Sequence, residues 1–254
     1  MWKVVLILLL YFLQQAGTAI AAAVMASGQP ETARAVALGE ASLVANVALV
    51  GILLACGLTA RRLPANRPPF FTAATAVALL AALALTFGGN GLSFLLGADD
   101  DGTTDLFRAM MGSPLCLLSL AVAGPVAEEA VFRAGLIPAM TRAGLNRWAA
   151  AALAALAFAL VHGNAAQGIP ALLTGLLLGA FYVVTGDVRL SVAAHVAVNS
   201  MGLASYALSD GSDTAVPTPE AFALMLTGLG AAAALVVWWW KLTHKKQGNC
   251  LHAS

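Results

Sequence analysis

Two adjacent carboxylates, Glu128 and Glu129, are followed four residues later by Arg133 in the segment SLAVAGPVAEEAVFRAGLIPAM, residues 119–140. Further along, Phe158 and His162 are spaced i, i+4 in FALVH, and His195 and Asn199 repeat that spacing in HVAVN. On a helix this interval puts both members of a pair on one face. A carboxylate can act as a general base toward water, and an imidazole can pass a proton. An amide can donate hydrogen bonds to developing negative charge. Glu129 and Arg133 are placed to form an ion pair, while Glu128 points about 100° away around the helix, free to face a cavity. Gly124 and Pro125, just before the acids, are residues that kink or open a membrane helix. Neighbouring carboxylates resist ionising together, which suits a group that takes and returns a proton.

The elements that position these groups are apolar. The chain has 254 residues, 60% hydrophobic and 10% charged, with a mean hydropathy of +0.86. Soluble domains carry about 25% charge, so composition predicts a polytopic membrane protein. An ionised side chain at the bilayer centre costs roughly 2.5–3.5 kcal/mol on insertion scales, and groups retained there mark functional sites. Apolar runs at 4–26, 41–60, 70–97, 114–140, 147–163, 168–186, 190–208 and 221–240 predict an all-α bundle of about eight transmembrane helices. Most are near the ~20 residues that span a bilayer. GGNG at 88–91 leaves open whether the third run ends early or re-enters.

With the N-terminus in the cytoplasm, the inside segments hold Lys3; Arg61, Arg62 and Arg67; Arg142 and Arg147; Arg189; and Lys241, Lys245 and Lys246. The outside loops hold Arg34 and Arg108 beside acidic runs at 98–105 and 209–213. This alternation satisfies the positive-inside rule and predicts that both termini are cytoplasmic. WWWK at 238–241 reads as an interfacial aromatic belt with a basic anchor. The first run also has the basic start and small residues of a signal peptide. Its apolar character continues past the candidate cleavage site, which favours an uncleaved first helix.

Other classes fall away. The net charge of +1 is uninformative about nucleic acid, but no basic run is interleaved with aromatics as a nucleic-acid surface requires. Cys56, Cys116 and Cys250 have no metal-ligand spacing and read as thiols of apolar helices. The Gly- and Ala-rich runs at 149–160 and 228–235 suit close helix packing in lipid. Three regions follow: residues 1–112, helices without a motif; 113–208, which carry the chemistry; and 209–254, a last helix with a basic tail. Singly, each polar group has a structural reading. Membrane histidines and asparagines join helices by hydrogen bonds, Phe158 packs, and Arg133 snorkels. Two acids, an arginine, two histidines and an amide on three helices are better explained as a site.

In this order the motifs resemble the CPBP (CAAX protease and bacteriocin-processing) family, also called the ABI or Ras-converting CAAX protease family. Its pattern is EExxxR, then FxxxH, then HxxxN or HxxxD, matched here at 128–133, 158–162 and 195–199. Residues 175–195 resemble the family's small-residue helix and turn. Ala134 stands where the family commonly has glycine, with Gly135 following. The resemblance covers about residues 113–208 and implies an intramembrane endopeptidase. Glu128, helped by His162, would activate a water, and His195 and Asn199 would donate to the oxyanion. Glu129 with Arg133 would orient the site, and Phe158 would pack against the cavity or substrate.

The resemblance leaves a metal open, because family members are commonly labelled metalloproteases. Glu128, His162 and His195 would then be the zinc ligands. The lack of an HExxH pair, and an asparagine that suits an oxyanion better than zinc, favour a site without cofactor. The implied partners are a membrane protein or peptide substrate and the lipid bilayer. Two alternatives stand beside the protease: a bacteriocin self-immunity protein that binds a peptide without cleaving it, and a proton-coupled transporter. The transporter lacks the expected inverted-repeat symmetry. Short loops and Ala/Gly-rich composition point to a bacterial cytoplasmic membrane.

Overall fold

The computed structural model describes residues 1–59, 70, 72–98, 102–208 and 218–251, with side chains left undescribed at 208, 218 and 245–251. Among these residues the chain is all-helical. The helices are α1 (Trp2–Met25), α2 (Glu31–Ala55), α3 (Ala73–Leu95) and α4 (Thr103–Met110), then the long composite α5 (Pro114–Arg142). After it come α6 (Arg147–Leu160), α7 (Ala165–Thr185), α8 (Val188–Leu208) and α9 (Thr218–Leu251).

Each expected apolar span falls on a helix. By length and composition six are able to cross a membrane: α1, α2, α3, α5, α7 and the Pro219–His244 part of α9. At 14 residues α6 is apolar but short; it measures about 21 Å against a hydrocarbon core of about 30 Å. Arg61, Arg62, Arg67, the acids at 99–101 and 209–213, and the side chains of Lys245, Lys246 and Cys250 lie outside the described residues.

Three details differ from the sequence reading. Helix α2 begins at Glu31, ten residues before the apolar run, because Glu31, Arg34 and Glu40 are good helix formers that hydropathy discounts. Glu40 is used there: Ser113 Oγ, at the N-cap of α5, donates to its Oε1 at 3.0 Å. Residues read as loop form α4, whose Met110 is buried in a cluster with Ala35 and Cys116. Of the three consecutive tryptophans, Trp238 and Trp240 face outward, whereas Trp239 is buried. Its ring centroid lies 4.8 Å from that of Phe181.

The GGNG stretch does not interrupt α3. A Cβ on Gly88 would lie 2.6 Å from the backbone nitrogen of Leu229, and one on Gly91 2.5 Å from that of Met225. These glycines let the backbones of α3 and α9 touch, as small residues do between membrane helices.

Helix α5 is the irregular element. Two π-helical stretches, Ser119–Ala123 and Ala130–Leu136, flank the α-helical turn Gly124–Glu129 that carries the acids. Each π stretch closes immediately before a proline. The Gly124 N–H reaches back five residues to the Ser119 carbonyl ahead of Pro125, and the Ile137 N–H reaches Phe132 ahead of Pro138. Proline lacks an N–H and its ring crowds the carbonyl four residues back; widening the preceding turn relieves both. Such π turns are rare and concentrate at functional sites.

Among the described residues the core has four clusters, of which two are the largest. Ile7 and Tyr11 of α1, Leu49 and Leu53 of α2, and Val131, Phe132 and Leu136 of α5 pack together. The Tyr11 and Phe132 rings meet edge-on at 5.4 Å. In the other of these two, Val77, Ala78, Ala81 and Ala82 of α3 meet Leu177, Leu178 and Phe181 of α7 and Trp239 of α9.

Candidate active site

The two adjacent acids have different environments. Glu129 is fully buried, and its Oε1 accepts from Arg133 Nη1 at 2.8 Å and from His195 Nδ1 at 2.9 Å. Glu128, one residue earlier, is 22% exposed and borders a cavity. The helical turn between them accounts for the split, since consecutive residues point about 100° apart.

Arg133 is itself buried and well partnered. Its Nη2 donates to the Gly175 carbonyl of α7 at 3.2 Å, and the guanidinium lies 4.8 Å from the centre of the Phe158 ring. A carboxylate, a carbonyl and an aromatic face meet the guanidinium of this buried ion pair, whereas Glu129 Oε2 is buried with no hydrogen-bond partner among the described residues.

His195, on α8, stands between the acids. Its second ring nitrogen, Nε2, is 3.5 Å from Glu128 Oε2. A carboxylate accepts, so the proton of the short bond to Glu129 sits on Nδ1. His162, at the end of α6, donates from Nδ1 to the Phe158 carbonyl at 2.8 Å, which leaves its Nε2 for the cavity. Phe158 joins the two histidines, meeting His162 edge-on at 4.9 Å and His195 at 5.5 Å. Asn199, one turn beyond His195, donates from Nδ2 to the backbone carbonyl of Leu120 on α5 at 3.1 Å.

Glu128, Phe158, His162, His195 and Asn199 all border one cavity of about 990 Å³. Glu129 and Arg133 sit behind it. The motif residues from three separate segments are thus brought together.

The motif-based reading missed two groups. Gly175 accepts from Arg133, and a Cβ there would come within 3.1 Å of Phe158 Cδ1 and 3.3 Å of Ala155 Cβ. The second group comes from the helices without a motif: Gln14, Ser42, Asn46, Thr86, Asn90 and Ser93 line the same cavity. Gln14 Nε2 donates to Asn46 Oδ1 at 3.2 Å, and the hydroxyls of Thr86 and Thr174 lie 3.3 Å apart. The signal was present: Ser42 and Asn46 at i, i+4, and Thr86, Asn90 and Ser93 at i, i+4, i+7, each inside an apolar span.

Among the described residues no three His, Cys, Asp or Glu side chains are grouped to hold a metal ion. Both nitrogens of His195 face carboxylates, and His162 Nδ1 is committed to the Phe158 carbonyl. A catalytic zinc needs three protein ligands converging on one point.

Membrane-length apolar helices, several of them lining one cavity bordered by Glu128, His162 and His195, make this an integral membrane protein. Residues 110–201 match the family model described as Rce1-like, type II CAAX prenyl endopeptidase Rce1-like. The match runs through α5 to α8, includes all seven motif residues, and supports a protease. No curated protein and no solved structure matches the chain.

Proposed function

We propose that the protein is an intramembrane endopeptidase, hydrolysing a peptide bond of a membrane-associated protein or peptide through a water activated by Glu128. The observation that carries this reading is the division of labour between neighbouring acids. Glu129 is buried and held by two donors, whereas Glu128 is open to the cavity beside an imidazole.

In this mechanism Glu128 takes a proton from a cavity water, which His162 Nε2 helps to orient, and the water oxygen attacks the peptide carbonyl. His195, held through Nδ1 by Glu129, presents Nε2 to the developing oxyanion, together with the second amide hydrogen of Asn199. Glu128 then returns its proton to the departing amine. With hydrogen on both ring nitrogens of His195, the charges of Glu128, Glu129, Arg133 and His195 sum to zero, which suits a low-dielectric site. The amide and hydroxyl wall from α1, α2 and α3 offers partners to the substrate backbone. No step calls for a metal, and the composition favours a bacterial cytoplasmic membrane as its location.

The test is cleavage by purified protein in liposomes, with prenylated C-terminal peptides and unmodified membrane peptides as parallel substrates. Cleavage abolished by Glu128→Gln supports the reading; cleavage unaffected by that change overturns it.

A further inference from the structure

Helix α5 breaks its own hydrogen-bond ladder just before the acids. The Gly124 N–H bonds to the Ser119 carbonyl, five residues back. The next carbonyl in that frame belongs to Leu120 and faces position 125, where proline has no N–H to give. An unpaired carbonyl inside an apolar bundle is costly. This one is paired from another helix: the Asn199 side chain of α8 donates to it, Nδ2 to O, at 3.1 Å.

The position of this bond matters for the chemistry. Asn199 is one turn from His195 on α8, and Leu120 lies about two turns before Glu128 on α5. The same helices are tied a second time where His195 Nδ1 meets Glu129 Oε1 at 2.9 Å. Together the two ties fix how far the acid-bearing turn stands from α8. The separation they govern is the 3.5 Å between His195 Nε2 and Glu128 Oε2.

We infer that Asn199 is a positioning residue: its amide replaces the N–H that Pro125 removes from α5, and so holds Glu128 against His195. The role is separate from any hydrogen bond to an oxyanion. An amide has two hydrogens, and the one spent on Leu120 fixes the plane of the other. The kinetic part of the inference rests on the protease reading, and the structural part does not.

The test is a double-mutant cycle between Pro125→Ala and Asn199→Ala, with Asn199→Ser replacing the alanine if that variant does not fold. Alanine at 125 restores an N–H, and in either the α or the π frame the Leu120 carbonyl then has a backbone partner. Alone, Asn199→Ala lowers kcat by about tenfold to a hundredfold, with KM within about twofold. In the Pro125→Ala background the kcat loss shrinks at least fivefold. Melting temperatures of the four proteins, read in detergent without substrate, show the same coupling. Equal kcat losses in the two backgrounds, as for a residue acting only on an oxyanion, overturn the inference. Melting temperatures that add independently also overturn it. An inactive but folded wild type rejects the protease reading alone, and the melting cycle still decides the pairing of Asn199 with Pro125.

Discussion

His195 Nδ1 lies 2.9 Å from Glu129 Oε1, on the same oxygen that Arg133 Nη1 holds at 2.8 Å. Glu129 is therefore an anchor for the histidine rather than a group that meets water. Glu128→Gln is expected to lower kcat by about 10²–10⁴-fold while leaving the melting temperature near that of the wild type. Glu129→Gln breaks a buried pair and leaves Arg133 without its counter-charge, a loss of about 3–5 kcal/mol in stability. Thermal unfolding and cleavage rates measured on both variants separate the roles; equal stability losses contradict the assignment.

Arg133→Lys is expected to behave as a disruptive change. Arginine serves Glu129, the Gly175 carbonyl and the Phe158 face at once, whereas a lysine ammonium is a point charge that cannot fork between them. Gly175→Ala attacks the same joint from α7, since its Cβ would press on Phe158 Cδ1 at 3.1 Å. Overpacking of this kind costs about 1–3 kcal/mol. Unfolding in detergent should show both variants destabilised, with the double variant losing less than the sum because both act on Phe158. Strict additivity would mean that the two substitutions act on separate features.

The candidate site was legible because its signal is local. Glu129 with Arg133, Phe158 with His162, and His195 with Asn199 are each one helical turn apart, and their polarity stands out in apolar spans. What joins them depends on partners distant in sequence. Asn199 reads as an open donor until the carbonyl orphaned by Pro125 is placed beside it. Gly88 and Gly91 read as a break until α9 is packed against them. The carbonyl of Gly175, like every backbone acceptor, has no sequence signature at all. Hydropathy recovered the helices but placed the start of α2 late, because charged helix formers count against it.

Metal removal is expected to leave cleavage intact. Among the described residues no three His, Cys, Asp or Glu side chains are grouped to hold an ion, and the proposed steps use none. Protein dialysed against a strong chelator, and shown by elemental analysis to hold no zinc, should retain its wild-type kcat. Activity lost on dialysis and restored by zinc would mean that the site rearranges into the ligand set Glu128, His162 and His195.

The helices without a motif should control substrate affinity. Asn90 of α3 lines the cavity, and among the described residues its side-chain amide has no hydrogen-bond partner. Leucine at this position keeps the branch at Cγ and suits an apolar helix, and the side chain borders open cavity, so the fold should tolerate it. A neutral hydrogen bond contributes about 0.5–1.5 kcal/mol net. Asn90→Leu is therefore expected to raise KM by about 2–10-fold, with kcat and melting temperature near wild type, if Asn90 meets the substrate backbone. Gln14→Leu differs in a way that checks the argument. Gln14 donates to Asn46, so its loss should lower the melting temperature as well as raise KM. Steady-state kinetics on the two variants, read beside their unfolding curves, distinguish a wall that binds peptide from one that only holds water. For a wall that only holds water, Asn90→Leu leaves KM unchanged.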